Sequence, residues 1–245
     1  MDGVIIADKP ELWTSHDVVA SMKRSLSARK VGHLGSLDPI ATGVLPIVVN
    51  KATGFARFLD SGEKRYSATM RLGEETDTYD RAGRVTAASD ASAVTETEVL
   101  KALSLFVGAI KQTPPMYSAV KRNGIPLYRL ARKGITVERK EKEITVFSID
   151  AVNIRMPYVD FNVVCSKGTY IRSICHDAGR VLGCGAHLFA LRRTACGGFL
   201  IEDSVSPSAS ADDLRKAIIP IKEALKLSGG SFEGAPLDAL EELRA

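Results

Sequence analysis

Gly32-His33-Leu34-Gly35-Ser36-Leu37-Asp38-Pro39-Ile40-Ala41-Thr42-Gly43 sets one carboxylate among glycines, a proline and a histidine, on a stretch too irregular to read as helix or strand. Gly32, Gly35 and Gly43 let the backbone take positive φ and lie close against a bound group, while Pro39 fixes the direction of the chain just past the acid. An Asp-Pro pair alone is a turn signal. Its setting makes it a candidate site: Lys30 and His33 precede the acid, and Gly43-Val44-Leu45-Pro46-Ile47-Val48-Val49 follows as an apolar run expected to be a buried strand or helix. A polar loop rooted in a buried element is a usual place for catalytic residues.

Around this stretch the pattern reads as alternating strands and helices. Residues 4–7 form a short strand, and 15–26 a helix with Val18, Val19, Met22 and Leu26 on one face, capped by Thr14 or Ser15. Ala52, Phe55, Ala56 and Leu59 recur at helical spacing up to Gly62. Residues 64–72 alternate, with Tyr66, Ala68, Met70 and Leu72 on one face, as a half-buried strand does. A polar loop is expected from Gly73 to about Ala93. The capping box Thr95-x-x-Glu98 then opens a helix carrying Val99, Leu100, Leu103 and Phe106, closed near Gly108.

Residues 112–134 break the pattern into a lobe, with a stiff Thr113-Pro114-Pro115 turn, a loop, and a short basic helix over 127–133 stopped by Gly134. Residues 143–155 and 159–165 are rich in β-branched side chains and pair around Met156-Pro157. Residues 169–182 form a helix with Ile171, Ile174, Ala178 and Val181 inward, and strands follow over 187–194 and 198–201. A last helix is expected over 212–218 before Pro220, and at most a terminal helix in the tail that runs through Gly229-Gly230 to Ala245. Strands interleaved irregularly with helices define an α+β fold, a mixed and mainly antiparallel sheet flanked by helices.

A chain of 245 residues accommodates one substantial core with an inserted lobe, or two small domains. The 45% apolar content excludes wholesale disorder. A net charge of +4 is compatible with a polyanionic partner without demanding one. Its distribution says more, because Lys121, Arg122, Arg129, Arg132, Lys133, Arg139, Lys140 and Lys142 cluster, although such a run also serves as a solvated face. Glu74, Glu75, Asp77 and Asp80 form an acidic counterpart. Cys165, Cys175, Cys184 and Cys196 lack paired spacing and read as reduced, buried thiols, and Cys175-His176 with Cys184-Gly185-Ala186-His187 does not make a zinc pattern. No metal is expected. Val4-Ile5-Ile6-Ala7 is too short for a signal peptide and no apolar stretch reaches a membrane span, so a cytoplasmic location is expected.

The stretch over 32–43 resembles the signature of the TruB-type pseudouridine synthases, which modify the uridine at position 55 in the T loop of transfer RNA. Asp8-Lys9-Pro10, Lys64-Arg65-Tyr66, Arg71-Leu72-Gly73, Thr76-Asp77-Thr78, Met116-Tyr117-Ser118-Ala119-Val120-Lys121, Ser166-Lys167-Gly168-Thr169-Tyr170-Ile171-Arg172 and Leu191-Arg192-Arg193 fall in that family's order, so the resemblance covers residues 3 to about 200. It implies a pseudouridine synthase fold with a catalytic domain over 1–205, including an RNA-binding lobe at about 112–134. Residues 206–245 would be a short helical extension with no full C-terminal RNA-binding domain. Leu34, Asn50 and Gly54 depart from the family pattern, which usually has threonine, glycine and lysine there.

The resemblance also assigns roles. Uridine becomes pseudouridine when the N1 to C1′ bond breaks, the base turns over and C5 joins C1′, with no redox change and no need of cofactor or metal. A carboxylate beside the anomeric carbon suits this chemistry, much as in glycosidases. Asp38 would be the nucleophile, Arg172 its guanidinium partner, and Tyr66 a stacking platform for a flipped base. By periodicity alone Tyr66 is a core residue. His33 matches the histidine that fills the gap left by the flipped uridine, though a lone histidine there would be a turn residue. Tyr170 and Leu191 match positions lining the uracil pocket, Lys9-Pro10 a support for the loop, and Lys121 and Arg132 the lobe that grips phosphates. The partner would be the T arm of tRNA, with no membrane, no obligatory protein partner and a monomeric enzyme. A tRNA-folding chaperone with secondary catalysis, and a synthase of the same fold acting on another RNA, are the alternatives.

Overall fold

The computed structural model of the chain describes residues 1–60 and 62–229. Strand β1 (Gly3–Lys9) is buried almost throughout, and helix α1 (Ser15–Ser25) starts on a capping box in which Thr14 and Asp17 exchange side-chain and backbone bonds. Strands β2 (Val31–His33) and β3 (Ala41–Val49) follow. They correct the sequence expectation at both ends of the signature stretch. Gly32 and His33 pair with Val48 and Ile47 of β3, so only 34–40 lies outside the strands. Local sequence could not show this, because the pairing partner lies well along the chain.

The helix expected over 52–59 divides into a 3₁₀ segment (Asn50–Phe55) and a short α2 (Ala56–Leu59), yet Ala52, Phe55 and Leu59 are buried as their spacing predicts. Asn50 opens it at φ 50°, where the family pattern carries glycine. Asparagine tolerates this left-handed conformation. Its Oδ1 also accepts from the backbone N–H groups of Arg29 and Lys30 at 3.0 and 3.2 Å.

Strand β4 (Lys64–Leu72) alternates as expected, with Tyr66, Ala68, Met70 and Leu72 buried and Lys64 sharing their face. The segment expected to be loop contains the hairpin of β5 (Glu74–Thr76) and β6 (Val85–Ala88). Helix α3 (Glu96–Ser104) carries the Thr95 and Glu98 capping box, but Leu100 is 51% exposed and the helix stops before β7 (Gly108–Gln112). In the lobe region lie β8 (Lys121–Arg122), β9 (Ile125–Pro126) and α4 (Leu127–Ala131). The predicted antiparallel pair is β10 (Lys142–Arg155) with β11 (Tyr158–Cys165).

Helix α5 (Ile171–Leu182) buries Ile171, Ile174 and Ala178, whereas Val181 is 54% exposed. Its buried stripe turns towards Cys175 and Gly179, where a Cβ on Gly179 would stand 2.1 Å from the Ala186 nitrogen. Strand β12 (Ala186–Cys196), β13 (Phe199–Leu200), α6 (Ala211–Lys216), β14 (Ile219–Pro220) and α7 (Ile221–Ser228) complete the described chain. Pro220 ends one element and caps the next, and α7 falls in the tail where at most one helix was expected. The part of that tail from 230 to 245 lies outside the described residues.

The chain divides into two compact units, one of Met1–Tyr66 with the segment from Arg192 onward, the other of Ser67–Leu191. The division falls within β4 and β12. In the first unit the strand order is β14-β1-β3-β12, with β2 on β3 and β13 on β12, over a core that includes Val4, Ile6, Val44, Val48, Phe55, Leu59 and Phe199. In the second the order is β12-β4-β11-β10-β7, and Met70, Leu103, Val146, Phe161 and Ile174 are fully or almost fully buried. Phe161 is 0% exposed. Phe161→Ala is expected to lower the unfolding free energy by about 3–5 kcal/mol in urea titration. A loss below ~1 kcal/mol would contradict a core role for this ring.

Candidate active site

In the first unit, the segment over 34–40 is held by donors from three other elements. Lys9, at the end of β1 and 0% exposed, donates from Nζ to Pro10 O at 2.8 Å and Pro39 O at 3.3 Å. Ser15, the first residue of α1, accepts from the Leu37 N–H at 2.9 Å and donates back to Leu37 O at 3.2 Å. Arg193 on β12, 1% exposed, donates to Gly35 O at 3.0 Å and to Val44 O at 2.6 Å. Its neighbour Arg192 reaches Asp8 with both nitrogens, at 3.1 and 2.8 Å, and Thr42 Oγ1 at 3.3 Å. Gly43, at φ 99°, lies so near the Arg193 backbone that a Cβ would stand 2.2 Å from its carbonyl oxygen. Asp38 thus hangs, half-buried, from a segment fixed on both sides; its own carbonyl accepts from Ala41 N at 3.0 Å.

Burial lowers the pKa of Lys9 to about 8, although the nearby charges of Asp38 and Asp17 oppose the shift. His33, at the end of β2, also has its pKa lowered, first by burial and then by Arg193 and His16, with Asp60 acting the other way. Its Nδ1 is buried without a hydrogen-bond partner among the described residues. Tyr66 is 8% exposed on the buried face of β4, as its periodicity indicated.

The second unit holds Tyr170, Arg172, Leu191, Lys121 and Arg132. Arg172 is 4% exposed, so it is not a surface arginine; it donates to Thr78 O at 3.1 Å and Tyr117 O at 2.8 Å, and its Nε lies 3.8 Å from the Asp80 carboxylate. Asp80 is fixed in turn by Thr78 Oγ1 at 2.7 Å and Ala82 N at 3.0 Å. Tyr79, at φ 63°, stacks on His176 with ring centroids 3.8 Å apart. Tyr170 precedes α5 and is clasped by Gln112, which donates to its carbonyl at 3.0 Å and accepts from its N–H at 2.8 Å. Leu191 is buried in β12. Lys121 and Arg132 are exposed, Arg132 above the Tyr128 ring at 5.4 Å.

Asp80, Ser15 and the buried Arg193 were not picked out as site residues from sequence. For Asp80 a signal existed in Thr78-Tyr79-Asp80-Arg81-Ala82-Gly83, where a Cβ on Gly83 would stand 2.3 Å from Thr78 Oγ1, the mark of a tightly wound turn. For Ser15 and Arg193 burial alone distinguishes them, and no local pattern reports it. A cleft of about 570 Å³ in the second unit, lined by residues including Arg71, Glu74, Ser92 and Pro157, contains none of the predicted site residues. Among the described residues no group of His, Cys, Asp and Glu is arranged to hold a metal, and no helix is long and apolar enough to cross a membrane.

The mainly antiparallel α+β fold is the fold of the pseudouridine synthases. The chain belongs to the TruB family of pseudouridylate synthases: the family's N-terminal domain model matches residues 23–171, and the C-terminal domain model of tRNA pseudouridylate synthase B matches 172–227. It is 49% identical to the tRNA pseudouridine synthase B of Clostridium kluyveri over 226 residues, covering 92% of this chain and 78% of that protein. With the Haemophilus influenzae protein of the same name it shares 44% identity over 240 residues, covering 98% and 72%. A crystal structure of a Cbf5-Nop10-Gar1 complex contains a similar chain, with TM-score 0.72 and 34% identity over 92% of this chain and 62% of that one. An H/ACA RNP bound to a substrate RNA containing 2′-deoxyuridine gives TM-score 0.69 and 31% identity, covering 92% and 61%. This chain therefore spans less than two thirds of those solved chains.

The Lys9 shift has a testable sign. Below about pH 8 Lys9 is charged in both folded and unfolded chains, and its burial counts against folding; between about 8 and 10.5 the native state gives up the proton first. The unfolded chain then binds more protons, so stability must rise with pH across that window. The difference in unfolding free energy between wild type and Lys9→Met should climb over this range, and a flat difference would contradict the shift.

Proposed function

We propose that the chain isomerises uridine to pseudouridine at position 55 in the T loop of tRNA, flipping the base and using Asp38 as nucleophile. The observation that carries this reading is the anchoring of the Asp38 segment by Lys9, Ser15 and Arg193, in a family whose curated relatives are named tRNA pseudouridine synthase B. A reaction that develops positive charge at C1′ gains from a carboxylate held still, because no reorganisation is then needed as the charge appears. Arg172 is taken as catalytic on its motif and on its fixed, buried charge. Tyr66 supplies an aromatic face, His33 the side chain that fills the vacated stack, and Tyr170 and Leu191 the apolar lining. Stacking on one aromatic contributes roughly 1–3 kcal/mol, enough to offset part of the cost of extruding the base. Lys121 and Arg132, exposed in the lobe, contact phosphates. The enzyme works as a monomer in the cytoplasm, without cofactor, metal or protein partner, and residues 1–205 make up its catalytic part.

Asp38→Asn is expected to reduce release of the C5 hydrogen from labelled tRNA by more than ~10³-fold, the scale on which loss of an essential nucleophile acts, while tRNA binding stays nearly unchanged. Retained turnover would sink the assignment. A variant that no longer turns over but still helps misfolded tRNA to fold would assign the folding role to the same protein. For the lobe, Lys121→Ala should weaken tRNA binding and reduce the slope of log affinity against log salt by about 1. An unchanged slope would remove Lys121 from the phosphate contacts.

A further inference from the structure

Lys64 on β4 and Cys196 on β12 meet within the first unit, beside the point where Gly197 N donates to Glu63 O at 2.8 Å. They are 3% and 1% exposed. The Lys64 Nζ lies 3.0 Å from Cys196 Sγ and 3.0 Å from Asp60 Oδ1. Burial works against the charge of Lys64, but the Cys196 sulfur and the Asp60 carboxylate outweigh it, and the pKa is raised. The contact sets the amine nitrogen directly against the sulfur, within reach of any oxidised form of it, and thiolate is the form of a cysteine that peroxides oxidise. Burial pushes the Cys175 thiol far up, against a weaker opposing backbone hydrogen bond. The Asp60 side chain is 36% exposed, so the nitrogen is connected to solvent through its carboxylate.

We propose that Lys64 and Cys196 form an oxidative modification site, at which a hydroperoxide drives a reversible sulfenamide crosslink between them. In the first step the Cys196 thiolate attacks a peroxide oxygen; the S–O bond forms, the O–O bond breaks and, with proton uptake, water leaves. Sulfur is oxidised by two electrons to the sulfenic acid and the peroxide is reduced. Lys64 then gives up a proton to solvent by way of Asp60, and its nitrogen lone pair attacks sulfur. The N–S bond forms, the S–O bond breaks, and the hydroxyl leaves with a proton as a second water. Overall one thiol, one amine and one hydrogen peroxide give one N–S link and two waters, and the protein loses two hydrogens. A dithiol reverses the reaction by attacking sulfur, restoring amine and thiol and leaving as a cyclic disulfide.

The test treats the full chain with hydrogen peroxide and reads intact mass and peptide maps. Wild type should lose two hydrogens, give one linked peptide pair joining Lys64 to Cys196, and regain both on adding dithiothreitol. Cys196→Ser should abolish the mass loss. Lys64→Arg keeps a cation against the sulfur but cannot close the link, so Cys196 sulfenic acid should accumulate and be trapped by dimedone; this variant carries the test if Cys196→Ser fails to fold. A wild type whose Cys196 stays reduced, or gains oxygen without joining Lys64, overturns the proposal.

Discussion

A chain that leaves a sheet takes its carbonyl groups out of the ladder, and each buried one must be given another donor. Between β2 and β3, and at the start of β3, that demand shapes the first unit. Gly35 and Val44 receive the Arg193 guanidinium, and Pro39 receives the Lys9 ammonium and the Leu12 N–H. Charged donors suit the task because such bonds are roughly twice as strong as neutral ones, and a guanidinium can reach two carbonyls at once. A methionine at Lys9 would leave Pro39 O with one donor fewer. An alanine at Arg193 would take one donor from each of Gly35 O and Val44 O.

The second unit meets the same demand with a different balance. Arg172 also binds two carbonyls, but it has a carboxylate beside it in Asp80. At 3.8 Å their contact is an ion pair without a direct hydrogen bond. Asp80 instead takes its hydrogen bonds from the turn that carries it, from Thr78 Oγ1 and Ala82 N, while Thr76 Oγ1 binds its carbonyl. The turn is wound around the acid. Tyr79 keeps a left-handed backbone within it, and the stack on His176 is the contact that compensates.

What could be read from sequence follows from how local each signal is. The alternation in β4, the β-branched runs of β10 and β11 and the capping boxes at Thr14 and Thr95 are short-range patterns, and the structure matches them closely. The β5–β6 hairpin escaped because Val85–Ala88 is exposed along its whole length and so has no inward face to mark. Val181 was assigned inward from apolarity, but the stripe on its helix is set by what packs against it. Asp38, Tyr66 and Arg172 were singled out through motifs, and the roles proposed for them rest on those motifs. The anchors Ser15 and Arg193 were not, since a serine opening a helix and an arginine in a strand are both ordinary until their burial is known.

Burial and the Arg193 guanidinium act in the same direction on His33. Its ring is partly desolvated, and Arg193 adds a positive field that neither Asp60 nor the half-exposed setting cancels, so the imidazole holds its proton less readily than in water. A neutral ring costs far less to bury than an imidazolium, and its Nδ1 lies buried without a partner among the described residues. Were His33 charged, it would stand as one more cation beside a group already satisfied by carbonyl oxygens alone. Burial first, and then the residue that anchors Gly35, therefore disfavour the charged form of His33.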